Sequence, residues 1–108
     1  MAQHSLGVRY SNGRGVLQDH KQAAYWFHKA ADQGNAQAQS ILGLCYANGQ
    51  GVPQDHKQAA YWYQKATDQG NAEAQTNLGN CYKNGRGVPK DQKQAVYWNR
   101  KASEKDKN

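Results

Sequence analysis

The sequence has few of the residues that staple, break or anchor a chain. Two cysteines in 108 residues exclude a disulfide-stapled scaffold and a Cys-rich zinc module. Two prolines and eleven glycines fall at regular places, which excludes low-complexity chain. No apolar run approaches the roughly 18–20 residues of a membrane helix, and mean hydropathy is −1.12. No signal-peptide hydrophobic segment follows Met1. As read, the chain is cytoplasmic or a piece of an exported protein. Hydrophobic residues make up 37%, which is enough for one small domain or a few modules sharing a core. Charge of one sign is also unevenly supplied. Lys plus Arg is 14 against 8 for Asp plus Glu, giving +6. Residues 1–72 hold six basic and four acidic groups, and residues 73–108 hold eight and four.

Self-similarity dominates what is present. Leu42-Gly43-Leu44-Cys45-Tyr46 matches Leu78-Gly79-Asn80-Cys81-Tyr82 and Leu6-Gly7-Val8-Arg9-Tyr10, an offset of 36 each time. Tyr25-Trp26, Tyr61-Trp62 and Tyr97-Trp98 repeat at the same offset. A period of this length marks a repeat array. It divides the chain into units 1–35, 36–71 and 72–108, the last with a polar C-terminal end. Asn99, Arg100 and Lys101 make its second helix more polar than its predecessors, as a terminal repeat requires for solubility.

Each unit reads as two helices. Ala38, Ile41, Leu42 and Cys45 have helical spacing. Asn35 and Asn71 stand at N-cap positions, and Asn48-Gly49 provides a C-cap. Asp55 caps the second helix with Gln58 at the capping-box spacing, and Asp19/Gln22 and Asp91/Gln94 repeat the pair. Ala59, Trp62, Tyr63 and Ala66 form one apolar stripe. The spacing predicts helices over 2–11, 20–33, 38–47, 56–69, 74–83 and 92–104. Gly7, Gly43 and Gly79 interrupt the first helices at about 1 kcal/mol each relative to alanine. Their recurrence predicts close approach of a neighbouring helix, with the Trp and Ala stripe of the second helix as the facing element.

Leu-Gly-x-x-Tyr on the first helix and Ala-x-x-x-aromatic on the second are tetratricopeptide marks. The period of 36, the loop Asn-Gly-x-Gly-Val-Pro-x-Asp and the following Ala-x-x-Trp-x-x-Lys-Ala resemble the Sel-one-like repeat (SLR) subclass over the whole chain. Leu17, Asn99 and Asp106 depart from the pattern. The resemblance implies an all-α fold, an α-solenoid or right-handed superhelix of three 36-residue helix-turn-helix repeats. It also implies a groove lined by first helices. Some secreted members carry two cysteines per repeat and a suggested penicillin-binding activity. This chain has Ala66 and Ala74 or Gln75 around the corresponding places, so that branch finds no support in the sequence.

No motif calls for a cofactor, a metal or a catalytic role. Gly13-Arg14-Gly15 and its copies lack the Gly-Lys-Ser/Thr of a phosphate loop. His20 and His56 share one repeat position, read as a solvent-exposed first turn. Cys45 and Cys81 also share a position, and equivalent residues of stacked helices lie roughly 8–10 Å apart, beyond disulfide reach. They read as free, buried, small hydrophobes. The repeat-locked aromatics read as packing and not as nucleic-acid stacking.

On the first helix, Gln39/Gln75, Leu42/Leu78, Gly43/Gly79 and Tyr46/Tyr82 stay constant between units. The changing positions centre on nearly the opposite face and are free to carry recognition. The candidate partner-binding residues are His4, Val8, Arg9, Ser40, Ile41, Leu44, Thr76, Asn77, Asn80 and Lys83, with the loops at Arg14, Gln50 and Arg86 as a contrast outside the groove. The sequence therefore reads as a non-enzymatic protein–protein interaction module or adaptor binding a peptide or protein, without membrane insertion. Self-association through the uncapped N-terminal repeat is a further expectation. The alternative is a secreted small-ligand or cell-wall-fragment binder with hydrolytic activity. A third reading is an anionic-polymer binder through Lys83, Arg86, Lys90, Lys93 and Arg100.

Overall fold

The computed structural model describes residues 20–106, and these form five helices and no strand. They are α1 (His20–Asp32), α2 (Ala36–Asn48), α3 (His56–Asp68), α4 (Ala72–Asn84) and α5 (Gln92–Asp106). Consecutive helices pack on each other along the whole series, the arrangement of an α-solenoid. The helix expected over 2–11 lies outside the described residues.

The helix ends follow from named side chains. Asn35 Oδ1 accepts the Ala38 N–H at 2.7 Å and Asn71 Oδ1 accepts that of Ala74 at 2.8 Å. The first helices therefore begin at Ala36 and Ala72, two residues before the expected starts. Each asparagine also closes the helix before it. Asn71 N–H donates to the Ala66 carbonyl and Gly70 N–H to that of Thr67. Gly70 supplies the left-handed residue, with φ 83°, so the pair forms a Schellman ending. Asn35 and Gly34 repeat it on Ala30 and Ala31. One asparagine thus ends a helix and caps the next, leaving no slack between units.

The second helices start differently from the capping-box reading. Asp55 Oδ1 accepts from Lys57 and Gln58 N–H, and Asp91 Oδ1 from Lys93 and Gln94 N–H. Neither Gln58 nor Gln94 makes the return bond to its capping residue. The Asp55 backbone N–H donates instead to Tyr46 O at 2.8 Å, and that of Asp91 to Tyr82 O at 2.9 Å. That bond ties each second helix to the first helix of its own unit.

The core lies mainly at the junctions between units. One cluster joins Ala23 and Phe27 of α1 to Leu42 and Cys45 of α2 and Trp62 of α3. The next joins Ala59 and Tyr63 of α3 to Leu78 and Cys81 of α4, with Trp98 of α5 against it. Tyr46 packs against both. Gly43 admits the Tyr63 ring, whose edge lies 2.6 Å from where a Cβ would stand. Tyr63, and not the neighbouring Trp62, is the close partner. At Gly79 the facing group is the Asn99 amide.

The loops add a second interlock. Gly51 and Gly87 hold φ of 78° and 77°. A Cβ on Gly51 would collide with the His20 carbonyl, and one on Gly87 with the His56 carbonyl. Each loop therefore rests on the first turn of the preceding unit's second helix. His20 and His56 are half-buried by this arrangement, in contrast to the solvent-exposed turn expected.

Two stability predictions follow from this packing. Trp62 is 6% exposed, whereas Trp98 is half-buried. Trp62→Ala should cost about 3–5 kcal/mol and Trp98→Ala less, as read by urea unfolding. Gly85 also has positive φ, but its Cβ would approach Lys90 no closer than 3.3 Å at Cβ and 3.5 Å at the backbone nitrogen. Gly85→Ala should cost about the 1–2 kcal/mol of a left-handed alanine. Gly87→Ala should cost clearly more, because its new methyl would overlap the His56 carbonyl.

Candidate functional site

The surface to be built is that of the first helices. Along α2 the buried positions are Ala38, Gln39, Ser40, Leu42, Gly43 and Cys45. The buried arc is wider than the constant positions imply, and it reaches Ser40. Ser40 is 0% exposed, and its hydroxyl has no hydrogen-bond partner among the described residues. It is therefore not available to a partner, and the reading of Ser40 as a groove residue is corrected. Its counterpart Thr76 is exposed and its hydroxyl donates back to the Ala72 carbonyl at 3.3 Å.

The remaining candidates divide by chemistry. Ile41 is half-buried against the first core cluster, and Leu44 is 37% exposed. Together they make an apolar step on α2. One unit on, the same positions are Asn77, half-buried, and Asn80, exposed. These two amides line a cavity of about 120 Å³ between α2, α3 and α4, together with Asn48, Asn84, His56 and Arg86. Its inner wall is Tyr63, Ala59 and Cys81. Lys83 does not join them: it lines a separate depression with Val96, Asn99 and Arg100 of α5. His4, Val8 and Arg9 lie outside the described residues.

Arg86 was set apart as a loop contrast, yet it borders the same cavity as Asn77 and Asn80. The loop after α4 folds back over the helix end because Arg86 N–H donates to the Cys81 carbonyl at 2.9 Å. Among the described residues the guanidinium has no carboxylate partner. Comparing the loops as well as the helices would have found it. Ile41, Leu44 and Gln50 become Asn77, Asn80 and Arg86 at the 36-residue offset, so one patch turns from apolar to polar and cationic.

Of the two thiols, that of Cys81 borders the cavity, and that of Cys45 lies in the first core cluster. Cys45 and Cys81 are free and buried. Burial pushes both above their ordinary 9.0, and the nearby Arg86 offsets only part of the shift at Cys81. Burial likewise pushes the Tyr63 phenol up, with smaller contributions from Cys81 and Cys45. These groups are packed in the core and protonated at neutral pH. Among the described residues no cluster of three His, Cys, Asp or Glu is placed to hold a metal, and no helix is long and apolar enough to cross a membrane.

The profile of the Sel1 repeat matches residues 1–35, 36–71 and 72–107. No curated protein matches the chain. Among solved structures, a protective antigen of uropathogenic Escherichia coli strains with an SLR fold superposes with a TM-score of 0.94 at 42% identity, over 96% of this chain and 22% of that one. A Sel1 repeat protein from Oxalobacter formigenes gives 0.90 at 40%, over 95% and 42%. Helicobacter pylori cysteine rich protein B gives 0.77 at 27%, over 95% and 84%. All three proteins are bacterial. The present chain spans less than half the length of the first two.

The thiols make a pH prediction. In the unfolded chain they ionise near 9.0, and in the folded protein only above that. The folded state therefore holds these protons longer. The associated stability is complete below pH 9 and is lost as pH rises through the raised values. Urea midpoints should fall above pH 9, and a Cys45→Ala, Cys81→Ala variant should show a shallower fall. Iodoacetamide at pH 8 should label both thiols in urea and neither in the native protein.

Proposed function

The chain belongs to the Sel1-repeat family, whose members generally serve as protein–protein interaction modules, and from that premise we propose that it is a non-enzymatic adaptor taking a segment of a partner protein along its first helices. The observation that carries this reading is the change of surface between units with an unchanged core beneath. Leu42 and Leu78, and Cys45 and Cys81, are buried alike. Above them Ile41 and Leu44 give way to Asn77, Asn80 and Arg86. A surface whose chemistry changes step by step can distinguish one peptide and one register from another.

The roles follow from the groups. Ile41 and Leu44 supply apolar contact, at about 25 cal/mol per Å² buried. Asn77 and Asn80 both donate and accept, which suits a peptide backbone. Arg86 presents a planar fork to a partner carboxylate, and Lys83 offers a second positive charge further along. Thr76 stands beside them, and His4, Val8 and Arg9 are the candidates of the first unit, Val8 holding the repeat position of Leu44 and Asn80. The segment that fits is an apolar side chain followed by an acidic one.

The test is capture of the partner by the full chain, followed by titration. A Leu44→Glu, Asn80→Ala variant should keep helicity and melting temperature and lose at least tenfold in affinity. Arg86→Gln should weaken binding and flatten its salt dependence. Gln50→Ala, in the loop of the preceding unit, should leave binding within twofold. Loss of binding in the Gln50 variant with retention in the Leu44/Asn80 variant would put recognition on the loop edge and defeat the proposal.

A further inference from the structure

The second helices keep an exposed stripe unchanged in all three units. Lys21, Tyr25 and Lys29 recur as Lys57, Tyr61 and Lys65, and again as Lys93, Tyr97 and Lys101. Steps of four residues place the members of each stripe one above another on a helix face. All nine are exposed, and the tyrosines are 52%, 52% and 49% exposed. Burial does not dictate these identities, in contrast to the constant positions of the first helices.

Each phenol is held in place. Its ring meets the next residue's tryptophan edge-on, at centroid distances of 5.3, 5.1 and 4.7 Å. The lysine one turn on lies over its face, with Nζ 5.4, 5.5 and 5.7 Å from the centroid. Among the described residues none of the six lysines is in an ion pair. Three acids end the stripes: Asp32, held by His28 at 3.1 Å; Asp68, accepting from Gln64 at 3.0 Å; and Glu104. The carboxylates of Asp55 and Asp91 at the other end accept backbone N–H groups. Six ammonium groups thus stand against three acids along the stripes.

We infer that this face docks on an anionic lipid surface. Tyrosine carries an apolar ring with a polar tip, the character of residues that settle at a lipid–water interface. Lysines beside it add attraction to anionic headgroups. One lysine Nζ stands over a face of each ring, so each phenol is paired with its own ammonium group. What is presented is ring edge, hydroxyl and ammonium. Three identical stripes side by side carry no unit-specific feature for a defined peptide to read, and they suit a uniform charged plane. The docking is peripheral and engages the second helices only, which leaves the first-helix surface free.

The test is cosedimentation of the full chain with large unilamellar vesicles of phosphatidylcholine, with and without phosphatidylglycerol, at low and high salt. The chain should sediment with the anionic vesicles only and be released by salt. Lys29→Gln with Lys65→Gln should lower partition at least about tenfold. Lys90→Gln, in the third loop, should change it less than twofold. Thermal melts by circular dichroism check that the variants remain folded. Should the Lys29/Lys65 variant melt early, Lys57→Gln with Lys93→Gln, one turn ahead of each tyrosine, takes its place with the same expected loss. Three results overturn the inference: no difference between the two vesicle types, equal loss in the stripe and loop variants, or binding of poly-glutamate or single-stranded DNA through these lysines by a chain that ignores the vesicles.

Discussion

Two glycine–carbonyl contacts carry the geometry on which the rest depends: Gly51 against the backbone of His20, and Gly87 against that of His56. Neither position has room for a side chain, so the loop of one unit can approach the preceding second helix as closely as backbone allows. That approach holds Val52 and Val88 against the junction clusters. It also fixes how far each unit is turned relative to the last. The capping carboxylates of Asp55 and Asp91 then start the second helices from that fixed point. Loop, cap and junction core are one device, repeated.

The two layers divide the surface by a simple physical rule. On the first helices most buried residues recur while the exposed ones change, so the chemistry they offer differs from unit to unit. On the second helices an exposed stripe recurs with its core, so whatever meets it meets the same chemistry three times. The polar cavity of Asn77, Asn80 and Arg86 and the rows of Lys and Tyr therefore present different kinds of information. One distinguishes, and the other repeats.

The fold was legible because every determinant recurs at 36 residues. Caps, glycines and apolar stripes agree with one another at each repetition, and helix type and order follow from them. The starts of α2 and α4 were misplaced because the apolar pattern begins at Ala38 and Ala74, although Asn35 and Asn71 already marked the true caps. The candidate site was less legible for two reasons. Helical periodicity sorts residues by angle but does not say how wide the packed arc is, and Ser40 fell inside it. Periodicity is also blind to loops that fold back over a helix, so it does not show that Arg86 borders the same cavity as Asn77 and Asn80. The half-burial of His56 was missed for the same reason, since the loop that covers it arrives from the next unit.

The asparagines that end one helix and begin the next have a consequence for how such an array changes over generations. Asn35 and Asn71 belong equally to the units on either side. The junction cores likewise draw on both neighbours. A duplicated or deleted stretch of one period therefore keeps a shared asparagine at every junction, whatever phase it is cut in. The array can lengthen or shorten by whole periods with every helix still started and ended by the same kinds of residue.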